Sequence, residues 1–209
     1  METDGEKNAM LAMGTSAVKV TDGLETGVHG VDPSAGIERA IARGELRDAL
    51  ARCAEAYGTS LGRLCMAFTG SQAEAEELVQ ETLLAAYDAF PQYRGEGSVK
   101  AFLYGIARRM CARAVERRVR RDARLRLVSG GEEGGSDATD DAIAKQRAQR
   151  ARAALEELRP TEREALLLRY EGELSFREVA LACGCDEPAA RKRVSRALGR
   201  MRELLKEEI

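Results

Sequence analysis

SFREVALACGCDEPAARKRVSRALGRM, running from Ser175 to Met201, is the stretch on which the reading of this chain turns. Ser175 and Glu178 have the three-residue spacing of a helix capping box. Behind that cap Phe176, Val179 and Ala180 face inward. Gly184 supplies a tight turn within Ala182-Cys183-Gly184-Cys185. Asp186 then caps a longer helix whose Pro188 sits in the first turn, where a missing N–H does no harm. The apolar stripe Ala190, Val194, Leu198, Met201, Leu205 advances by 4, 4, 3 and 4 residues, a helical period. Glu187, Arg191, Lys192, Arg193 and Arg196 are left outside. A short helix, a glycine turn and a longer helix with a one-sided basic face make a helix-turn-helix, whose second helix enters the major groove of DNA. Arginine pairs bidentately with guanine there, and lysine reaches phosphate as a point charge. A plain helical hairpin with a charged face would carry the same apolar stripe.

Upstream, the pattern stays helical. Ala151, Ala154, Leu155 and Leu158 recur before Pro160, which breaks that run. Thr161 caps a further helix with Glu164 three residues on; Leu166, Leu167, Leu168 and Tyr170 form its apolar side and Gly172 stops it. Residues 129–141 read SGGEEGGSDATDD, with four glycines, five acids and no large apolar side chain. Such a segment cannot bury enough surface to offset its ordering entropy and is expected to be a flexible acidic linker.

Before the linker lies a second helical block. Ile37, Ile41, Leu46, Leu50, Cys53, Tyr57, Leu61, Leu64, Cys65 and Phe68 recur at helical steps, interrupted by Gly58 and Gly62. Gly70-Ser71 ends this element, and Ser71 opens the next with Glu74 as a capping-box partner. PQYRGEG, Pro91 to Gly97, is a loop by composition. Ser98 caps a long helix carrying Phe102, Leu103, Ile106, Met110, Ala114 and Val119. Residues 1–36, with six glycines and no sustained period, read as a mostly disordered leader with room for a brief helical piece. The expected architecture is all-α: a leader (1–36), a helical domain (37–126), a linker (127–145) and a helix-turn-helix domain (146–209).

The net charge of −2 conceals strong segregation. Residues 108–126 hold nine arginines and two acids, residues 191–202 hold six basic residues and no acid, and residues 71–88 hold five acids and no base. Two basic helices with apolar stripes favour a polyanion partner. The acidic helix sets Glu74, Glu77 and Glu81 on one face, which suits a basic partner surface or, as a weaker alternative, a metal. A single histidine, His29, leaves little for histidine-based catalysis or zinc. No nucleophile lies beside a base, so no enzymatic activity, metal or cofactor is expected. The five cysteines are loosely spaced, and the start METDGEKN lacks the apolar core of a signal peptide. No run of 18 apolar residues forms a membrane span. A cytoplasmic protein with free thiols is expected.

Two segments carry a family resemblance. EAEELVQETLLAAYDAFPQYRGEGSVKAFLYGIARRM (74–110) resembles the second conserved region of bacterial RNA polymerase sigma factors, in particular the extracytoplasmic-function (ECF) group. LRPTEREALLLRYEGELSFREVALACGCDEPAARKRVSRALGRMRELL (158–205) resembles their fourth region. The resemblance covers about residues 45–121 and 146–205. It implies a factor that binds core RNA polymerase, recognises the −10 and −35 promoter elements and promotes initiation. Glu77, Leu78, Val79, Gln80, Glu81 and Leu84 would dock on the clamp helices of the largest subunit. Tyr93, Arg94, Phe102, Arg108, Arg109 and Arg113 would hold the −10 strand, and Glu187, Arg191, Lys192, Arg193 and Arg196 would read the −35 element. An anti-sigma partner is a further implication. Phe102 stands where the family usually has Trp, Gly105 where Arg is frequent, and Arg109 where Asn commonly follows. The competing reading is a stand-alone helix-turn-helix regulator that acts without polymerase.

Overall fold

The computed structural model describes residues 33–126 and 140–206, and every regular element over them is a helix. The leader up to residue 32 and linker residues 127–139 lie outside the described residues. In chain order the helices are α1 (Pro33–Ala42), α2 (Leu46–Thr69), α3 (Gln72–Ala89), a 3-10 turn (Phe90–Gln92), α4 (Val99–Arg126), α5 (Asp140–Glu156), α6 (Pro160–Tyr170), α7 (Phe176–Cys183) and α8 (Glu187–Lys206).

The first four helices form the N-terminal domain. Helix α2 is its axis, packed by α1, α3 and α4. Its inner stripe of Ala49, Cys53, Tyr57, Leu61, Leu64, Cys65 and Phe68 is buried, as the period requires. Gly58 and Gly62 do not interrupt it; tertiary packing on both sides overrides their weak propensity. The helix ends at Gly70, whose φ of 71° lets its N–H reach Met66 O at 2.8 Å. Ser71 caps α3 by accepting from the Glu74 N–H. The Glu74 carboxylate does not close the expected box; it lies 4.0 Å from Arg121. Cys65 and Cys111 meet in the core, with sulfurs 3.6 Å apart between α2 and α4.

Two boundaries differ from the sequence expectation. Helix α1 begins at Pro33, inside the expected leader, and buries Ser34, whose hydroxyl lies 2.9 Å from Tyr57 Oη. A polar anchor of this kind leaves no hydrophobic period to read. Pro160 starts α6 rather than merely breaking the run before it, and Thr161 lies inside the helix, not at its cap. Proline at the first helical position loses no hydrogen bond and brings φ already set. Residues 140–145, expected in the linker, form the start of α5.

Helices α5 to α8 form the C-terminal domain, with α6 and α7 packed on α8. The box at α7 is complete: Ser175 Oγ accepts from the Glu178 N–H, and the Glu178 carboxylate accepts from the Ser175 N–H at 2.9 Å. Gly184 takes φ 63° at the turn. Asp186 Oδ1 accepts from the Ala189 N–H at 2.7 Å and caps α8. On α8 Ala190, Val194, Ala197 and Met201 are buried; Leu198 and Leu205 are partly covered.

The two domains are packed together rather than simply tethered. Helix α7 lies along α4, and one continuous core includes residues of both domains.

Candidate nucleic-acid interface

Burial of the Ala190–Val194–Ala197–Met201 stripe turns the opposite face of α8 to solvent. Arg191, Lys192 and Arg196 are exposed there, and Arg193 and Glu187 are partly covered. Arg191 is held on two sides: Glu187 Oε1 accepts its guanidinium hydrogen bond at 2.5 Å, and its Cζ stands 4.4 Å from the Phe176 ring centroid. Arg169 approaches the same ring at 5.1 Å. Phe176 therefore joins α6, α7 and α8 through two cation–π contacts. This orients Arg191 before any ligand arrives and lowers the ordering cost of binding. Phe176 was read from sequence as core only.

The second surface belongs to the loop before α4 and to α4 itself. Tyr93 packs on Phe102 with centroids 5.3 Å apart, and Phe90 stands 6.3 Å from Phe102 on the inner side. Tyr93 Oη lies 2.5 Å from Gly97 O and 3.1 Å from Glu38 Oε1, which ties the loop to itself and to α1. Burial first, then the nearby Glu38 charge, pushes the Tyr93 hydroxyl well above its ordinary value, so it stays protonated as a donor. Ser98 caps α4 by accepting from the Ala101 N–H at 3.1 Å. Between loop and helix lies a cavity of about 230 Å³ lined by Tyr93, Arg94, Gly97, Ser98, Phe102 and, from α7, Leu181. That is smaller than the ~300–1,000 Å³ typical of small-molecule clefts. Its tyrosine, phenylalanine and arginine are the side chains on which unstacked bases rest.

Along α4 the predicted arginines divide. Arg109 and Arg113 are exposed. Partial burial, followed by repulsion from Arg108 and Arg113, holds the Arg109 guanidinium below its ordinary pKa, though it remains cationic at neutral pH. Arg108 instead turns to the C-terminal domain. Its Nη1 donates to Glu164 Oε2 at 2.6 Å and its Nε to Ala182 O at 3.1 Å. Farther along, Arg117, Arg120, Arg121 and Arg124 form an exposed basic end.

On α3, Ala75, Leu78, Thr82 and Ala86 face inward. Leu78, expected on the docking surface, is only 3% exposed and is a core residue, because it shares the inner face with Ala75 and Thr82. Glu77, Gln80, Glu81 and Leu84 occupy the outer face, Val79 lies at its margin, and Leu84 is 63% exposed. An exposed leucine among acids gives a partner an apolar anchor with a charged rim. Among the described residues, no three His, Cys, Asp or Glu side chains converge as a metal site. No described helix is long and apolar enough to cross a membrane.

Sequence reading missed the contacts between these surfaces. Glu164 and Glu178 had each been accounted for as cap partners, yet Glu178 also accepts from Ser98 Oγ at 2.7 Å, and Glu164 holds Arg108. A capping box is a complete local explanation of a glutamate, so nothing in the pattern asks for a second role.

Known proteins carry both halves of this arrangement in the same order. Residues 53–121 match Sigma-70 region 2 and residues 145–201 match Sigma-70, region 4. The ECF RNA polymerase sigma factor SigG of Mycobacterium tuberculosis (strain ATCC 25618 / H37Rv) is 34% identical over 166 residues, covering 68% of this chain and 45% of SigG. The chain thus spans under half the length of that relative. SigD of the same strain, also an ECF sigma factor, is 35% identical over 164 residues, covering 75% of this chain and 77% of SigD. CnrH, solved in complex with the cytosolic domain of CnrY, shares the fold at a TM-score of 0.64 and 21% identity, with 85% of this chain and 100% of that chain covered. RpoE of Bartonella quintana, solved with the anti-sigma factor NepR, superposes at 0.50 with 26% identity, covering 80% of this chain and 98% of that one. The two matched regions and the extent of the match to SigD establish that this chain belongs to the ECF group of RNA polymerase sigma factors.

Proposed function

We propose that this chain binds core RNA polymerase, directs it to promoters through two DNA-reading surfaces, and is not itself a catalyst. The observation that carries this reading is one chain that bears an exposed basic face on α8 and an aromatic and arginine-lined surface at the head of α4, beside a separate acidic face on α3. Lys192, Arg196 and the pre-oriented Arg191 are exposed on α8 and suit duplex DNA; Tyr93, Phe102, Arg109 and Arg113 suit an unstacked strand; Glu77, Gln80, Glu81 and Leu84 face outward on α3. In this reading the α3 face docks on the clamp helices of the largest subunit. An anti-sigma partner is part of the proposal, supported by the complex of the Bartonella quintana relative.

The test separates polymerase from DNA. The variant Glu77→Lys with Glu81→Lys should lose core polymerase in a pull-down while its melting temperature stays within about 0.5 kcal/mol equivalent of the parent, since both residues are exposed. Arg191→Ala should retain polymerase and lose duplex affinity. A chain that never captures polymerase but still binds duplex DNA would be a stand-alone regulator, and the proposal would be wrong.

A further inference from the structure

We propose that Cys65 and Cys111 are an oxidation site: a hydroperoxide converts their two thiols into a reversible disulfide that staples α2 to α4. The chemistry is independent of the proposed function, because it needs neither polymerase nor DNA.

Geometry selects this pair. All five cysteines carry free thiols. Cys65 and Cys111 face each other from two packed helices, without solvent exposure and with sulfurs 3.6 Å apart. A disulfide holds its sulfurs at about 2.05 Å. The remaining movement is of the size by which packed helices shift, about 1–2 Å. Cys53 is buried on the same helix as Cys65, but at a rise of about 1.5 Å per residue it lies more than four turns away and out of reach. Cys183 and Cys185 belong to the turn that follows α7 in the other domain.

The pair is buried, yet it lies just beneath a wide opening. A cleft of about 1090 Å³ runs between α4 and the helices α5 and α6. Thr69 and Val115, one helical turn beyond Cys65 and Cys111, line it, as does Ala112, the neighbour of Cys111. That volume is many times the ~30 Å³ a water occupies, so a small peroxide enters it freely. The hydrogen bond to Cys65, and then burial, raise the Cys111 thiol above its ordinary value. Cys111 therefore rests protonated, and the pair reacts slowly, when the α2–α4 seam opens locally.

In the open form one thiol gives its proton to water and its sulfur attacks a peroxide oxygen. The O–O bond breaks, and the departing hydroxide takes up that proton to leave as water, with a sulfenic acid behind it. The second thiol, deprotonated in turn, attacks the first sulfur. The S–O bond breaks, the S–S bond forms, and the displaced hydroxide leaves as a second water. Each sulfur gives up one electron, and the peroxide takes both. The new bond encloses all of α3, the turn at Phe90–Gln92 and the head of α4. Closing so long a loop removes much of the freedom of the unfolded chain. Oxidation thus holds together the part that carries the acidic face of α3 and the aromatic loop before α4.

The full chain, in a background with Cys183→Ser and Cys185→Ser, is treated with hydrogen peroxide, and remaining thiols are blocked by alkylation. Peptide mass spectrometry should find Cys65 linked to Cys111, and dithiothreitol should undo the link. The oxidised chain should melt at least about 5 °C above the same sample after dithiothreitol. Cys65→Ala and Cys111→Ala should each show neither the link nor the rise. The comparison of oxidised with reduced parent needs no core variant to fold. The proposal is overturned if peroxide leaves both thiols free, takes either one to a sulfinic acid instead, or links them without raising the melting temperature.

Discussion

Arg191 shows how the neighbours of one exposed side chain set its direction. Glu187 and Phe176 fix its direction, so a ligand gains the contact without first ordering a long, flexible side chain. If Arg191 reads a base edge, Arg191→Ala should cost about 1–3 kcal/mol of duplex affinity and relax preference at one position; a phosphate contact would weaken all sequences alike. Titration of matched and singly substituted duplexes separates the two. Its outward position was legible in the stripe of α8, but its stacking on Phe176 was not, because Phe176 lies on another helix. Glu178 gives a pH dependence. Burial pushes its carboxyl up, but the hydrogen bonds from Ser98 and Ser175 and the charge of Lys100 outweigh it, and the net pKa is lowered. A carboxylate with a lowered folded pKa stabilises fully above its ordinary value of 4.5 and loses that contribution as the pH falls through the lower one. Melting temperatures below pH 4.5 should therefore fall less steeply in Glu178→Gln than in the parent.

At the scale of the element, the caps were the most legible feature. Ser175 with Glu178, Ser98, Asp186 and Gly184 stand where the sequence placed them, because each satisfies backbone groups only a few residues away. Ser175→Ala should cost about 1 kcal/mol, read as a lower denaturation midpoint. Gly184→Ala should cost about 1–2 kcal/mol, because φ 63° places an added Cβ in the left-handed region although the surrounding space is open. Equal midpoints for the parent and Gly184→Ala would contradict the role given to this turn. What escaped the sequence at this scale were starts without an apolar signature: α1 is anchored by Ser34 on Tyr57, and α6 opens on a proline. The glycines of α2 misled in the other direction, because burial of its stripe outweighs their propensity.

Over the whole molecule, two domains and their order were legible, since each carries its own apolar period on either side of an acidic, glycine-rich segment. Their mutual packing was not. It depends on pairs as far apart as Ser98 with Glu178 and Arg108 with Glu164, and on the small residues Gly105 and Ala182 that let α4 and α7 approach. None of these pairs leaves a periodic trace. The outward positions of Glu77, Glu81, Arg191 and Lys192 follow the periods of their helices. Leu78 lies on the inner face of its helix, and Arg108's engagement with the other domain leaves no trace in the sequence. The central claim is that polymerase docking and promoter reading belong to one chain. Transcription from a randomised promoter library, with core polymerase and this chain, tests it most directly. Discrete start sites sharing two sequence elements should appear only when the chain is present, and should vanish with Glu77→Lys and Glu81→Lys. Start sites unchanged by adding the chain, or by that double substitution, would contradict it.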